Sequence, residues 1–428
     1  MMLFFYNIFF PIGFILFLPG LLYKLIMRPG WKKTFGERFS IFSPEARRKL
    51  KETEGAVWIH SVSVGETMIA LSLIKKWQAE DSSRKFVLST TTTTGQELAR
   101  SKVPSGVNVI FCPIDFSLFV KRTFRIVKPS MLVIFETEIW PNMIDQAVKE
   151  CGKLALVNAR MSDKSAHGYS KIAFFIRPLL EKFKIICVQS ENDKNRFSSV
   201  APGADVRTCG NMKFDQDIPE NLKGPDLNEY FGTGEKTVIL AASTHPGEEK
   251  LIAETFIRLK KDFASLRLVI MPRHAERGGE IASDLKALRL SFARKTSGEK
   301  PSSPVECLLA DTTGEMLSFM KVADVVIMGK SLAGNDEGHN LIEPALLAKP
   351  VVTGSVLKNF RFALNVLKEK DAVITVDSDL DLETALRRLI DDVSFREELG
   401  NRAREAVSVH TGATGKTIKL LEDILWNR

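Results

Sequence analysis

A carboxylate just after a β-strand and just inside a helix can take a proton from an attacking hydroxyl. This chain offers one at Glu66, in the run His60-Ser61-Val62-Ser63-Val64-Gly65-Glu66 behind the apolar stretch Val57-Trp58-Ile59. Gly65 permits a tight turn, and Ser63 is a natural helix cap. Glycosyl transfer to an alcohol needs a base for the hydroxyl proton, which such a Glu supplies. A first-turn Glu is also favoured by the helix dipole without any catalytic duty, so both readings stand. Thr90 to Thr94, followed by Gly95, places hydroxyls and amides at another strand end. They suit an anion or sugar, or simply cap a helix. Glu136-Thr137-Glu138-Ile139-Trp140-Pro141-Asn142 gathers two carboxylates and an indole, with a proline fit for a first helical turn. Trp140 offers a surface to a sugar or acyl chain, or belongs to the core. Arg160, after the stretch Leu154 to Val157, can hold a phosphate or carboxylate.

The second half repeats the pattern. Ser243-Thr244-His245-Pro246-Gly247 joins small residues and hydroxyls to a helix start, as a phosphate cradle requires, with His245 as ligand or local cap. Arg273 and His274 follow a strand directly and suit anion recognition, or a surface salt-bridge cluster with Glu276 and Arg277. Thr313, Gly314 and Glu315 supply another helix start. Ser331 follows Gly329-Lys330, and Gly338-His339-Asn340 leads to Glu343, whose carboxylate can accept from both ribose hydroxyls. Together these residues predict a nucleotide on the second half. There is no Walker A pattern and no Gly-x-Gly-x-x-Gly after a strand, which disfavours P-loop and dinucleotide readings. No spacing of His, Cys or acidic residues asks for a metal, and no cofactor is expected. Cys112, Cys151, Cys187, Cys209 and Cys307 read as core thiols in a reducing compartment.

The elements that must position these residues are short. From Ala56 onward apolar runs alternate with amphipathic stretches, a βαβ rhythm that implies parallel sheets covered on both faces. The rhythm pauses over 216–235, rich in Pro and Gly, and restarts at Val238. The expected division is therefore a segment 1–27, an α/β domain 28–215, a linker 216–235 and an α/β domain 236–428, whose last helix can return to the first domain. In open parallel sheets ligands bind beyond the strand C-termini, which is where every motif above lies.

Residues 1–23 carry no charged side chain, and nine Lys/Arg against four Glu occupy residues 1–55. About 20 apolar residues suffice to span a bilayer. The cations follow the apolar run, which places the body in the cytoplasm. Pro11, Gly13, Pro19 and Gly20 weaken a straight span and keep in-plane insertion open. The net charge of +8 favours anionic partners. Nucleic acid is not among those expected, because no stacking-aromatic or helix-turn-helix motif accompanies the charge.

Taken in order, 58–66, 136–142, Val157 to Ser162, Gly210 to Asp215, 272–277 and 338–344 resemble the 3-deoxy-D-manno-oct-2-ulosonic acid (Kdo) transferases over nearly the whole chain. The resemblance implies a GT-B fold, two Rossmann-like domains facing a central cleft, and an inverting transfer of Kdo from CMP-Kdo. The implied acceptor is the lipid A precursor lipid IVA, at the cytoplasmic face of an inner membrane. It assigns Glu66 as base, facing the cleft. Donor binding falls to Ser243, Thr244, His245, Arg273, His274, Thr313, Gly314, Glu315, Ser331, Gly338, His339, Asn340 and Glu343. Acceptor-side candidates are Ser63, Gly65, Thr94, Glu136, Glu138, Trp140 and Arg160. The chain departs from the family pattern twice: Lys330 and Glu337 stand where glycines are usual. A non-hydrolysing sugar-nucleotide epimerase and a UDP-sugar-dependent GT-B lipid glycosyltransferase are the competing readings. Neither acts by transferring Kdo, and the epimerase has no need of the apolar segment.

Overall fold

The computed structural model describes residues 2–26, 36–216, 218–298 and 301–426. It forms two compact units, Met1–Asp215 with Thr411–Arg428, and Gln216–His410. Each unit is built on one seven-stranded sheet, and every strand pairing is parallel.

In the first unit the strands are β1 (Val57–Ser61), β2 (Phe86–Thr90), β3 (Val107–Phe111), β4 (Met131–Phe135), β5 (Leu154–Ala159), β6 (Ile185–Val188) and β7 (Val206–Thr208). Their order across the sheet is β3-β2-β1-β4-β5-β6-β7. The central strands β1, β2, β4, β5 and β6 are buried throughout. That explains why they read as continuous apolar runs instead of alternating ones. The helix Val64–Glu80 buries Ile69, Ala70, Leu73, Ile74 and Trp77 against this sheet. The helix Ala413–Trp426 packs beside it: the Trp77 indole N–H donates to the Glu422 carboxylate, and Arg84 pairs with that carboxylate at 2.8 Å.

In the second unit the strands are β8 (Thr237–Thr244), β9 (Leu266–Pro272), β10 (Phe292–Arg294), β11 (Cys307–Leu309), β12 (Val325–Met328), β13 (Val351–Gly354) and β14 (Ile374–Val376). Their order is β10-β11-β9-β8-β12-β13-β14. Successive strands run outward one way and then the other, so each sheet has a point where the order reverses. It lies between β1 and β4 in the first unit and between β8 and β12 in the second. Parallel sheets open a crevice at that point, beyond the strand C-termini.

The helix Met2–Ile26 lies against the first unit along one face. Tyr6 donates to Asp115 at 3.0 Å, and the Asn142 side chain donates to Asn7 Oδ1 at 2.8 Å. The Phe10 and Phe14 rings each meet Phe116 at 5.3 Å. Phe4, Phe5, Ile8, Phe9, Ile12, Ile15 and Leu16 face outward, and Leu118 and Phe174 are likewise exposed. Among the described residues no helix is long and apolar enough to cross a membrane. The side chains at 17–19 and 21–26, and residues 27–35 with Arg28, Lys32 and Lys33, lie outside the described residues. The predicted spanning anchor and its basic flank rest partly on them.

Candidate functional site

At the reversal point of the first unit, β1 delivers Ser61 to Glu66 and β4 delivers Glu136 to Trp140. Ser63 caps the helix Val64–Glu80: its Oγ accepts from the Glu66 N–H at 3.2 Å and donates to Glu66 Oε1 at 2.7 Å. Val62 N–H reaches Glu66 Oε2 at 2.8 Å, and Ser63 N–H reaches Oε1 at 3.3 Å. Glu66 is 7% exposed and both its oxygens accept hydrogen bonds. The carboxylate is thus held rigidly, as a base should be, but it also completes a capping box in full. Ser63 and Gly65 are exposed beside it.

Glu138 lies close to Glu66. Burial first, and then the Glu66 charge, push its carboxyl above the usual range. The Trp140 indole nitrogen lies buried near Glu138 but falls short of hydrogen-bond geometry. Glu136 adds to the rise at Glu138 and pairs with Arg160 at 3.1 Å and Lys213 at 3.6 Å. The Glu136 backbone is left-handed, at φ 54°. Thr94 is exposed and joins none of these groups. Thr92, in the same threonine run, takes the capping role: it caps the helix Thr93–Lys102 and donates to the Val62 carbonyl at 3.1 Å. His60 belongs to the core: burial holds its imidazole down to about 4, so it is neutral, and it meets Ser89 Oγ at 3.0 Å.

At the reversal point of the second unit, β8 ends in Ser243-Thr244-His245 and β12 in Gly329-Lys330-Ser331. Gly329 has to be glycine, because a Cβ there would meet the Ser243 carbonyl oxygen at 2.4 Å. Gly338 is equally constrained, at φ 71° with Leu357 only 2.3 Å from the added carbon. A residue absent from the predicted site ties the loops together. Glu248, wholly buried, accepts from the His245, Lys330, Ser331 and Leu332 amides at 2.8, 2.8, 2.9 and 2.8 Å. Its signal in the sequence is a Glu three residues after a strand-end His, the spacing at which a side chain reaches back to a loop amide.

Around this frame the structure gathers His245, His274 and His339. The His245 and His339 Nε2 atoms are 3.0 Å apart, and the His245 and His274 rings are 5.8 Å apart. The Arg273 amide donates to the Thr244 carbonyl at 3.0 Å. The Arg273 guanidinium is exposed and makes no ion pair among the described residues. Its charge acts on His339 and Glu343. Burial raises the Glu343 carboxyl, with Asn340 and Arg273 opposing it. Thr244 Oγ1 is fully buried without a hydrogen-bond partner. An unpaired guanidinium, imidazoles and an unsatisfied hydroxyl at a crevice suit an anion.

Two expected donor contacts, Ser331 and Glu315, are otherwise engaged, as is Arg277. The Ser331 hydroxyl donates to the Met328 carbonyl at 2.7 Å and accepts from Gly354 N–H at 3.0 Å. Glu315 is held by Lys295 and Thr312. Arg277 pairs with buried Glu249 at 2.7 Å. Thr313 and Gly314 are exposed in the turn before the helix Met316–Val322.

The two departures from the family pattern face each other, since the Lys330 ammonium and the Glu337 carboxylate form an ion pair. Position 330 is left-handed, at φ 59°, which costs a side-chain-bearing residue about 1–2 kcal/mol. An exposed pair returns little of that. Lys330→Gly is therefore expected to raise the urea midpoint by an amount worth up to about 1 kcal/mol. A lowered midpoint would show that the ion pair outweighs the strain.

Residues 33–216 match the family described as 3-deoxy-D-manno-octulosonic-acid transferase (kdotransferase). A 3-deoxy-D-manno-octulosonic acid transferase of Haemophilus influenzae is 30% identical over 400 residues, covering 90% of this chain and 93% of that protein. Among solved structures, a glycosyltransferase from Rickettsia africae ESF-5 superposes with a TM-score of 0.54 at 11% identity, covering 88% of this chain and all (100%) of the other. A UDP-GlcNAc 2-epimerase from Neisseria meningitidis bound to UDP-GlcNAc gives 0.54 at 14% identity, covering 86% and 99%. The equal scores show a shared fold of two Rossmann-like units and leave the chemistry to be argued from the residues.

Proposed function

The chain belongs to the 3-deoxy-D-manno-octulosonic acid (Kdo) transferase family, and from that premise we propose a GT-B enzyme that carries Kdo from CMP-Kdo to lipid IVA. Kdo transfer in lipopolysaccharide synthesis follows from membership. The donor, the acceptor and the residue roles are our reading. The observation that carries it is the coincidence of both polar clusters with the two reversal points. Carboxylates lie at the first (Glu66, Glu138) and anion-seeking groups at the second (Arg273, His245, His339).

In this reading the second unit holds the donor. Arg273 takes an oxygen of the phosphodiester or of the Kdo carboxylate, and Glu343 with Asn340 takes the ribose. The acceptor hydroxyl attacks the anomeric carbon, the bond from that carbon to the phosphate oxygen breaks, and CMP leaves with the electron pair. The hydroxyl proton passes to Glu66. The reacting sugar carries developing oxocarbenium character. Arg160 and Lys213, gathered on Glu136, offer cations for an acidic acceptor headgroup. The outward apolar face of Met2–Ile26 supports attachment at a lipid surface.

The direct test is incubation with CMP-Kdo and lipid IVA, followed by mass spectrometry of the lipid. The expected product gains Kdo, and an unmodified lipid beside an isomerised nucleotide sugar would point to epimerase chemistry. Arg273→Ala is expected to lower kcat/KM for CMP-Kdo by about 10- to 100-fold, the worth of a charge-assisted hydrogen bond. An unchanged KM and kcat would remove Arg273 from the donor site.

A further inference from the structure

The imidazoles of His245 and His339 are arranged for more than contact. Their Nε2 atoms are 3.0 Å apart, their ring centroids 5.2 Å, and their planes 27°. The centroid separation exceeds the nitrogen separation by roughly the distance from each nitrogen to its own ring centre, twice over. The rings therefore meet end to end, not face to face. Two bare nitrogens would repel there and two N–H groups would clash, so one proton lies between them.

That fixes what the pair presents outward. Two neutral rings hold two protons. With one in the bridge, the donating ring has a bare Nδ1 and the accepting ring carries its proton on Nδ1. The neutral pair thus shows one donor and one acceptor. A third proton turns both outer nitrogens into donors and adds a positive charge, which fits two oxygens of one phosphate.

The surroundings set when that third proton arrives. Burial and then the neighbouring His245, Arg273 and Lys330 charges hold His339 down to about 4, with Glu337 opposing weakly. His245 is lowered by burial, then by Lys330, His274 and Arg277, with Glu249 opposing. Arg277 is neutralised by Glu249 and Glu280, and Lys330 by Glu337. Arg273 alone among these cations has no ion-pair partner among the described residues. The empty pair is thus proton-poor at neutral pH, and an anion brought against Arg273 reverses the balance. Thr244, whose buried hydroxyl lacks a partner, adjoins His245 in the chain.

We propose that the His245–His339 pair takes up one proton when the nucleotide phosphate binds and delivers it to the departing phosphate oxygen. The step balances. The acceptor oxygen bonds to the anomeric carbon, the bond from that carbon to the phosphate oxygen breaks, and its electron pair stays on the phosphate. The pair's proton goes to that oxygen, and the acceptor's proton goes to Glu66. The leaving oxygen changes from that of a diester, which holds no proton near neutral pH, to that of a monoester whose second ionisation lies near about 6, so it gains affinity for the pair's proton as the bond breaks. The proposal rests on the donor reading above.

Calorimetry of CMP binding to the full chain at pH 7.5, in buffers of different ionisation enthalpy, tests it. The expected result is uptake of about one proton per CMP bound, none on binding cytidine, and none for CMP with His339→Gln or His245→Gln. Binding of CMP to the wild-type protein without proton uptake overturns the proposal while leaving the donor site intact. Failure of CMP to bind at all overturns the donor reading itself. For delivery, kcat is expected to fall at alkaline pH as the bound pair loses its proton, and His339→Gln is expected to lower kcat by about 100-fold or more and to remove that fall. An unchanged kcat overturns the delivery step.

Discussion

Glu66→Gln is expected to cut Kdo transfer by about 10²- to 10⁴-fold, with the melting temperature close to that of the unsubstituted protein and CMP affinity unchanged. Gln suits this test better than Ala because of what Glu66 does in the folded chain. Its oxygens accept from the Val62 and Ser63 amides and from the Ser63 hydroxyl. Gln keeps one of those oxygens and the reach of the side chain, so most of the capping box survives. Losing a cap altogether costs about 0.5–2 kcal/mol, enough to blur a kinetic result if Ala were used. Gln cannot accept the proton of an attacking hydroxyl. If Glu66 is only a cap, turnover in Glu66→Gln stays within a few-fold of normal, and the base assignment is lost. Glu138 supplies the comparison. Its carboxyl is raised by burial and by Glu66, as a base working near neutral pH would be. Loss of transfer in Glu138→Gln together with its retention in Glu66→Gln would move the base to Glu138.

The scaffold was legible because buried parallel strands are continuous apolar runs. Met131 to Phe135, Ile185 to Val188, Cys307 to Leu309 and Val325 to Met328 are strands over those residues. Two edge strands, Val206–Thr208 and Phe292–Arg294, escaped notice. Each has three residues, with arginine in it, and an edge strand has a neighbour on one side only. Which strand-end residues would meet was legible only as position. That His245 and His339 abut could not be read from residues separated by 94 in the chain. Nor could the ion pair of Lys330 with Glu337, since neither lies on a regular element whose period would align them. Ser331 and Glu315 have the chemistry of ligands, but the fold spends both on its own loops. Sequence spacing can place a hydroxyl at a strand end; it cannot say which of its neighbours claims it first.

Glu248→Ala should be the most damaging single change in the second unit, costing about 3–6 kcal/mol. The carboxylate is wholly buried and accepts four backbone amides, one from the loop after β8 and three from the loop after β12. A buried donor left without a partner costs about 1–3 kcal/mol. Four such donors do not add in full, because the loops relax and water enters the space. Glu248→Gln keeps one oxygen and should fall between Ala and the unsubstituted protein. The same two loops set the distance between His245 and His339 and carry the strained Lys330 backbone, so CMP binding should weaken in step with the loss of stability. Urea unfolding gives the first quantity and calorimetry with CMP the second. A loss of under about 1 kcal/mol, or full CMP affinity in a destabilised Glu248→Ala, would mean that the loops hold their shape without it. The reversal point of this sheet would then be kept open by Gly329, Gly338 and Gly354 instead, positions in or against these loops where an added Cβ has no room.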